Sequence, residues 1–330
     1  MLSALFRKPA TPEPTAIRRI AGPPGGDPWA DSYKEDLLGL VAAHGAVVVT
    51  GLDLRTASDL KGIALRLTDG PVRETEGFAP REELADGVYA SAAWPANQTM
   101  CMHHELSYAR RCPGLLLFAC LRPPTDGGAT ALADAADVLE SLPPSVVERF
   151  AEEGWLLDRS YNGEVGATLS QAFGTDDRQA VDAYCLANGI ETAWQPDGAL
   201  HTRQRRSAVV RHPASGRRCW FNQIAFLSEW TMAPEVRDFL TEEYGPAGLP
   251  FTTRYGNGDP VPADVIEQIN STYADLTVRR PWETGDLMVV DNLRTAHSRE
   301  AYTGQRQVLV AMADPFRPPP PDRSSGRAEA

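Results

Sequence analysis

Residues 100–122 read MCMHHELSYARRCPGLLLFACLR, and residues 286–313 read DLMVVDNLRTAHSREAYTGQRQVLVAMA. In both, a histidine-bearing polar turn adjoins short apolar runs bounded by Gly, Pro or Asp, which is the pattern of buried strands. GLLLFACLR (114–122), DLMVVDN (286–292) and RQVLVAMA (306–313) are such runs. Working outward, GAVVVTG (45–51), RSAVVRHP (206–213) and RRCWFNQ (217–223) have the same character. Helical spacing is sparser. It is found in SYKEDLLGLVAAHG, with Ser32 as cap and Gly45 as stop, and in PPSVVERFAEEG, APEVRDFLTEEYG and ADVIEQINSTYADL. Strands and helices alternate too irregularly for a doubly wound parallel sheet, and neither GxGxxG nor GxxxxGK[ST] occurs. The pattern predicts a mainly β chain: a double-sheet jelly roll with peripheral helices and a polar insert, over about residues 155–205, serving as a lid. One domain is expected over 31–315. It lies between a Pro- and Gly-rich segment (1–30) and a proline-rich tail (316–330), both loosely ordered.

The chain has 330 residues and a net charge of −12. An acidic surface repels phosphate backbones, which argues against nucleic acid as a partner. The apolar run at the N-terminus precedes Arg7 and Lys8, the reverse of a signal peptide, and no run is long enough to span a membrane. Five widely spaced cysteines without a CxxC pair suggest neither a disulfide framework nor a zinc ribbon. A reducing cytoplasm is the expected compartment.

Six histidines are present, and two contexts stand out: His103-x-Glu105, and His297 after an apolar run and a turn. On an extended strand, residues i and i+2 face the same side, so His103 and Glu105 project together. Two imidazoles and one carboxylate occupy one face of an octahedron and leave three positions open, the arrangement of non-haem iron(II) oxygenases. Alone, H-x-E is weak evidence and reads more readily as a solvated His–Glu pair on a strand edge. Further features shift the balance: Thr130 within GGATALAD (127–134), Arg306 after the second histidine, and the strand that starts at Pro113.

At this point the chain resembles the taurine dioxygenase-like (TauD/TfdA) superfamily, and within it the SyrP-like branch of peptide-antibiotic biosynthesis. The resemblance runs over about residues 36–315. It is carried, in order, by HHELSYARRCPGLLLFAC, PPTDGGATALAD, AFGTDDRQAVDAYC, HTRQRRSAVVRHPASGRRCWFNQ, LPFTTRYGNGDPV, PWETGDLMVVDN and AHSREAYTGQRQVLVAMAD. It implies a double-stranded β-helix and an oxygenase that uses Fe(II), 2-oxoglutarate and dioxygen. By position, His103, Glu105 and His297 match the iron ligands, and Thr130 and Arg306 match the pair that binds the distal carboxylate of 2-oxoglutarate. A guanidinium fork suits that carboxylate, and a hydroxyl adds a donor. Two departures stand in HSR, where the branch often has HGR, and in Arg306-Gln307, where it often has two arginines. Where the taurine enzyme carries a sulfonate-binding arginine, this chain has Val310, which argues against a sulfonate substrate. Relatives that bind chloride have Gly or Ala at the position of Glu105, which argues against a halogenase.

The resemblance implies an amino-acid substrate, free or on a carrier protein, oxidised at an unactivated C–H bond. Candidate substrate residues are His104, Asn222, Arg203 and Arg206, with Arg205 in the same basic cluster. On a strand, His104 should point opposite to His103. For the arginines a solvated face is the plain alternative, and for Asn222 a core role beside its aromatic neighbours. Asp291 and Asn292 read as turn residues before His297. Other readings stay open: desaturation or cyclisation of a different small acid, or a non-catalytic cupin-like metal-binding sensor. A homo-oligomer is possible on either reading.

Overall fold

The computed structural model describes residues 18–22, 29–79 and 81–321. Its strands are β1 (Arg18–Ala21), β2 (Ala46–Thr50), β3 (Glu83–Ala85), β4 (Val88–Ala90), β5 (Cys112–Arg122) and β6 (Asp126–Gly127). Then come β7 (Thr130–Asp134), β8 (Trp155–Tyr161), β9 (Ile190–Trp194), β10 (Leu200–Arg206), β11 (Val209–Arg211) and β12 (Arg218–Trp220). The last are β13 (Phe251–Tyr255), β14 (Leu287–Asp291), β15 (Thr295–Arg299), β16 (Tyr302–Thr303) and β17 (Gln307–Phe316). The helices are α1 (Trp29–His44), α2 (Ala57–Leu67), α3 (Ala135–Ser141), α4 (Pro144–Glu153), α5 (Leu169–Phe173), α6 (Arg178–Asn188), α7 (Pro234–Tyr244) and α8 (Ala263–Leu276).

A large sheet in the order β1-β2-β14-β5-β17-β4-β3 forms one wall. Its central strands are apolar on both faces because both faces are covered. Val47, Val49, Leu117, Ala119, Leu309 and Ala311 pack with Leu37, Leu40, Leu60 and Ile63 of α1 and α2. The alternate residues Val48, Leu116, Phe118, Val308, Val310 and Met312 face the main core. The opposite wall combines the β7–β15 pair with the sheet β13-β8-β10-β9, and Leu132, Ala296, Trp155 and Leu157 meet the large sheet inside. This is the jelly roll that the strand pattern predicts, with helices at its periphery.

Several local expectations differ from what is found. Ser32 does not cap α1; the helix starts at Trp29 and ends before Gly45, whose φ of 81° suits a residue without Cβ. Within 1–30, Arg18–Ala21 pairs in parallel with β2, while 1–17 and 23–28 lie outside the described residues. The tail is described as far as Pro321, and 322–330 lie outside the described residues. The polar insert 155–205 contains β8, α5, α6, β9 and β10, so it supplies three strands of the second sheet. α2 also escapes the sequence reading, although Thr56 and Asp59 form a reciprocal capping box at its start. Among the described residues, no helix is long and apolar enough to cross a membrane.

Candidate metal centre and co-substrate pocket

His103 and His297 are brought together by their backbones. Each donates its N–H to the other's carbonyl, at 3.0 and 2.9 Å. Residues opposed in an antiparallel bridge project to the same face, and the two rings lie 4.3 Å apart. Glu105 is aimed differently from the expectation. It opens a turn in which Leu106 has a φ of 52°, and Asn292 holds its peptide on both sides. The Asn292 side-chain oxygen accepts the Glu105 N–H at 2.9 Å, and its side-chain amide donates to the Glu105 carbonyl at 3.0 Å and the Pro113 carbonyl at 2.7 Å. One ligand atom from each of His103, Glu105 and His297 then lies within 4.8 Å of the others, all buried.

The donor chemistry suits a divalent transition metal. His103 Nδ1 lies 2.9 Å from the Cys101 carbonyl, which fixes the proton on Nδ1 and leaves a lone pair on Nε2. Burial, and then the neighbouring His297, pull the His103 pKa down to about 3, so the ring is neutral. Against the upward pull of burial, Arg81 first and then the imidazoles hold the Glu105 carboxyl well below the usual carboxylate range. His297 Nε2 lies 3.6 Å from Glu105 Oε2, and its buried Nδ1 has no hydrogen-bond partner. Two imidazoles and a carboxylate, without a thiolate, match the iron(II) donor set. Among the described residues, no further His, Cys, Asp or Glu joins the three.

Thr130 and Arg306 line the same pocket, with Arg306 Nη2 3.5 Å from Thr130 Oγ1. β15 pairs with β7 so that Arg299 opposes Thr130, which places the hydroxyl beside the His297 strand. Arg306 donates from Nε to the Gly128 carbonyl at 2.9 Å and from Nη1 to Ser91 Oγ at 3.1 Å. Gly128 has a φ of 67°, and a Cβ there would meet Pro124 at 2.8 Å and Arg306 Cδ at 3.2 Å, so glycine leaves room for the Arg306 stem. Arg299, which also lines the pocket, donates to the carbonyls of Trp94, Pro95 and Gln98. Val310 and Phe118 close the wall, and Phe226 stacks 4.6 Å from the His103 ring.

The substrate candidates are not brought to this pocket. His104 points away, as expected, but into the core. Its Nδ1 donates to the Asn292 carbonyl at 2.6 Å, its ring packs on Phe221, and burial lowers its pKa to about 4. Asn222 spends its amide on the Ala208 carbonyl and its oxygen on the Ile224 N–H. Arg203 pairs with both oxygens of Asp158 at 2.7 and 2.8 Å. Arg205 binds the Glu153 carbonyl, and Arg206 the carbonyls of Tyr108 and Asn188. These arginines lie on β10 and border a separate cleft beside the proline tail. Conversely, the pocket includes Arg81, which no sequence signal singles out. PREE reads as a solvated charged stretch, and only its burial in the folded chain marks Arg81. Asp291 is the turn residue expected, accepting from Leu293 and Arg294 N–H and from His212.

The sequence pattern of the taurine catabolism dioxygenase TauD, TfdA family matches residues 9–312. The chain is 30% identical to the dapdiamide synthesis protein DdaC of Enterobacter agglomerans, over 84% of this chain and 85% of the relative. It is 25% identical to the clavaminate synthase-like protein At3g21360 of Arabidopsis thaliana, over 85% of each. Its fold is similar to that of the PvcB protein from Pseudomonas aeruginosa, with a TM-score of 0.53 at 16% identity over 94% of this chain and 92% of that one. From the family match over nearly its whole length, with the jelly roll beneath it, the chain belongs to the TauD/TfdA family of iron(II)- and 2-oxoglutarate-dependent dioxygenases.

Proposed function

We propose that this dioxygenase hydroxylates an unactivated C–H bond of an amino acid, free or as a carrier-bound aminoacyl group, in specialised-metabolite biosynthesis. The observation that carries the reading is the convergence, in one pocket, of three metal-type donors with the Arg306–Thr130 pair. In this reading His103, Glu105 and His297 hold the iron. Arg306 and Thr130 hold the distal carboxylate of 2-oxoglutarate, through a charge-assisted pair in a site screened from water. Iron(II), 2-oxoglutarate and dioxygen supply the oxidising power, with succinate and CO₂ as co-products.

The chain's own part is binding and orientation. Asn292 fixes the Glu105 peptide, and Cys101 fixes the His103 tautomer. Phe118 and Phe226 cover the imidazole faces and exclude water. Val310 leaves an apolar wall with no partner for a sulfonate. Arg159 of β8, Tyr184 of α6 and Gln204 of β10 all bind Glu76 and so brace the loop that leads to Arg81. Similarity to a dapdiamide synthesis protein supports a place in specialised metabolism. Under anaerobic conditions Fe(II) plus 2-oxoglutarate should give a visible charge-transfer band, and in air a substrate should gain one oxygen as succinate forms. A closed zinc site without that band overturns the proposal; loss of two hydrogens in place of oxygen gain selects desaturation or cyclisation.

A further inference from the structure

Arg81 is a buried cation of the pocket that the reading above does not use. Its side chain is 6% exposed. Nη2 contacts both Glu105 oxygens, at 3.1 and 3.2 Å, while the buried Nε and Nη1 have no hydrogen-bond partner. Unmade bonds on a buried guanidinium are costly, so they mark a place where a ligand completes the set. Glu74 stands beside it, with Oε1 3.7 Å from Arg81 Nε, beyond hydrogen-bond reach. Arg81 borders two cavities at once. One is the metal pocket. The other is lined by Glu74, Tyr89 and Gln171 among others. The loop between these residues is pinned: Glu76 receives Tyr184 and Gln204, and Arg159 donates to the carbonyls of Glu76 and Gly77.

We propose that Arg81 and Glu74 receive the charged head of the substrate, Arg81 taking a carboxylate and Glu74 an ammonium. The inference rests on the oxygenase reading and narrows it to substrates that carry both charges. A guanidinium with free N–H groups suits a carboxylate, and a carboxylate beside it suits an ammonium on the neighbouring atoms. Because Arg81 lies against Glu105, a head group held there sets the adjoining carbons beside the metal ligands, as positioning requires. Two sources share this chemistry: the α-carboxylate of a free amino acid, and the side-chain carboxylate of an aspartyl or glutamyl thioester.

The test uses protein loaded anaerobically with Fe(II) and 2-oxoglutarate. The probes are the free L-amino acids with their carboxamides and N-acetyl derivatives, and aspartyl and glutamyl N-acetylcysteamine thioesters with their asparaginyl and glutaminyl counterparts. The reading is perturbation of the visible band, with calorimetry for affinity. At least one acid should bind ten-fold or more tightly than its amide. Arg81→Gln should erase that preference and Arg81→Lys, which keeps a charge beside Glu105, should retain part of it, and Glu74→Gln should erase the preference for a free over an N-acetylated amine. A response to free amino acids or to thioesters identifies the source. Failure of the band in the unmodified protein overturns the oxygenase site and this proposal together. A normal band with no carboxylate preference, or a preference that survives Arg81→Gln, overturns this proposal alone.

Discussion

Arg306→Ala separates binding from stability, because the guanidinium costs the fold about what its contacts return. Burial, and then the nearby Arg299, pull the Arg306 pKa down to about 10. It remains charged at neutral pH, so the charged form is held in the fold at a cost on the order of 3 kcal/mol. The sign is that of a base with a lowered pKa: the cost is fully present at pH 7 and is relieved only as pH rises past about 10. Against this stand the bonds to Gly128 and Ser91, worth roughly 1 kcal/mol each, and the packing of the stem. The substitution should therefore shift stability without ligand by no more than about 2 kcal/mol in either direction. A 2-oxoglutarate carboxylate, in contrast, would lose its charged partner in a desolvated site, at roughly 2–5 kcal/mol. That corresponds to a Kd raised from about thirty-fold to several thousand-fold. Calorimetric titration of the iron-loaded variant with 2-oxoglutarate, paired with chemical denaturation, reads both numbers. A Kd within three-fold of the parent refutes the role given to Arg306. A collapse of stability by more than about 4 kcal/mol would make Arg306 a structural clamp instead.

Glu105→Ala should abolish specific Fe(II) binding by equilibrium dialysis while circular dichroism stays native; retained binding would show that the donor set is misassigned. Asn292→Ala removes both hydrogen bonds on the Glu105 peptide, so metal affinity should fall about 10- to 100-fold, as for other groups that orient ligands; unchanged affinity would show that the turn alone aims Glu105. Burial pushes the thiols of Cys112, Cys120, Cys185 and Cys219 up to about 12; iodoacetamide at neutral pH should leave all four unmodified in the native protein by mass spectrometry, and rapid labelling of any of them would contradict the packing described.

The large sheet was legible in the sequence because its strands are continuous apolar runs: 46–50, 112–122, 287–291 and 307–316 have no other stable environment than between two layers. The candidate metal donors, which the fold brings within 4.8 Å of one another, were picked out in the sequence as H-x-E with a second histidine in a distant turn. β10 was not, because LHTRQRR buries Leu200, Thr202 and Gln204, and a buried Thr and Gln do not read as a core face until their partners are known. The same limit misdirected the substrate residues. Arg203, Arg205 and Arg206 read as a free basic patch, but Asp158, Glu153 and Tyr108 consume them from other parts of the chain. Arg81 reads as one charge among acids until the fold buries it against Glu105. Residue type and order by themselves determined the large sheet and pointed to candidate metal donors and a candidate co-substrate pair. Which charges are neutralised and which are left open to a ligand depends on long-range contacts and desolvation, and only the tertiary structure decided that.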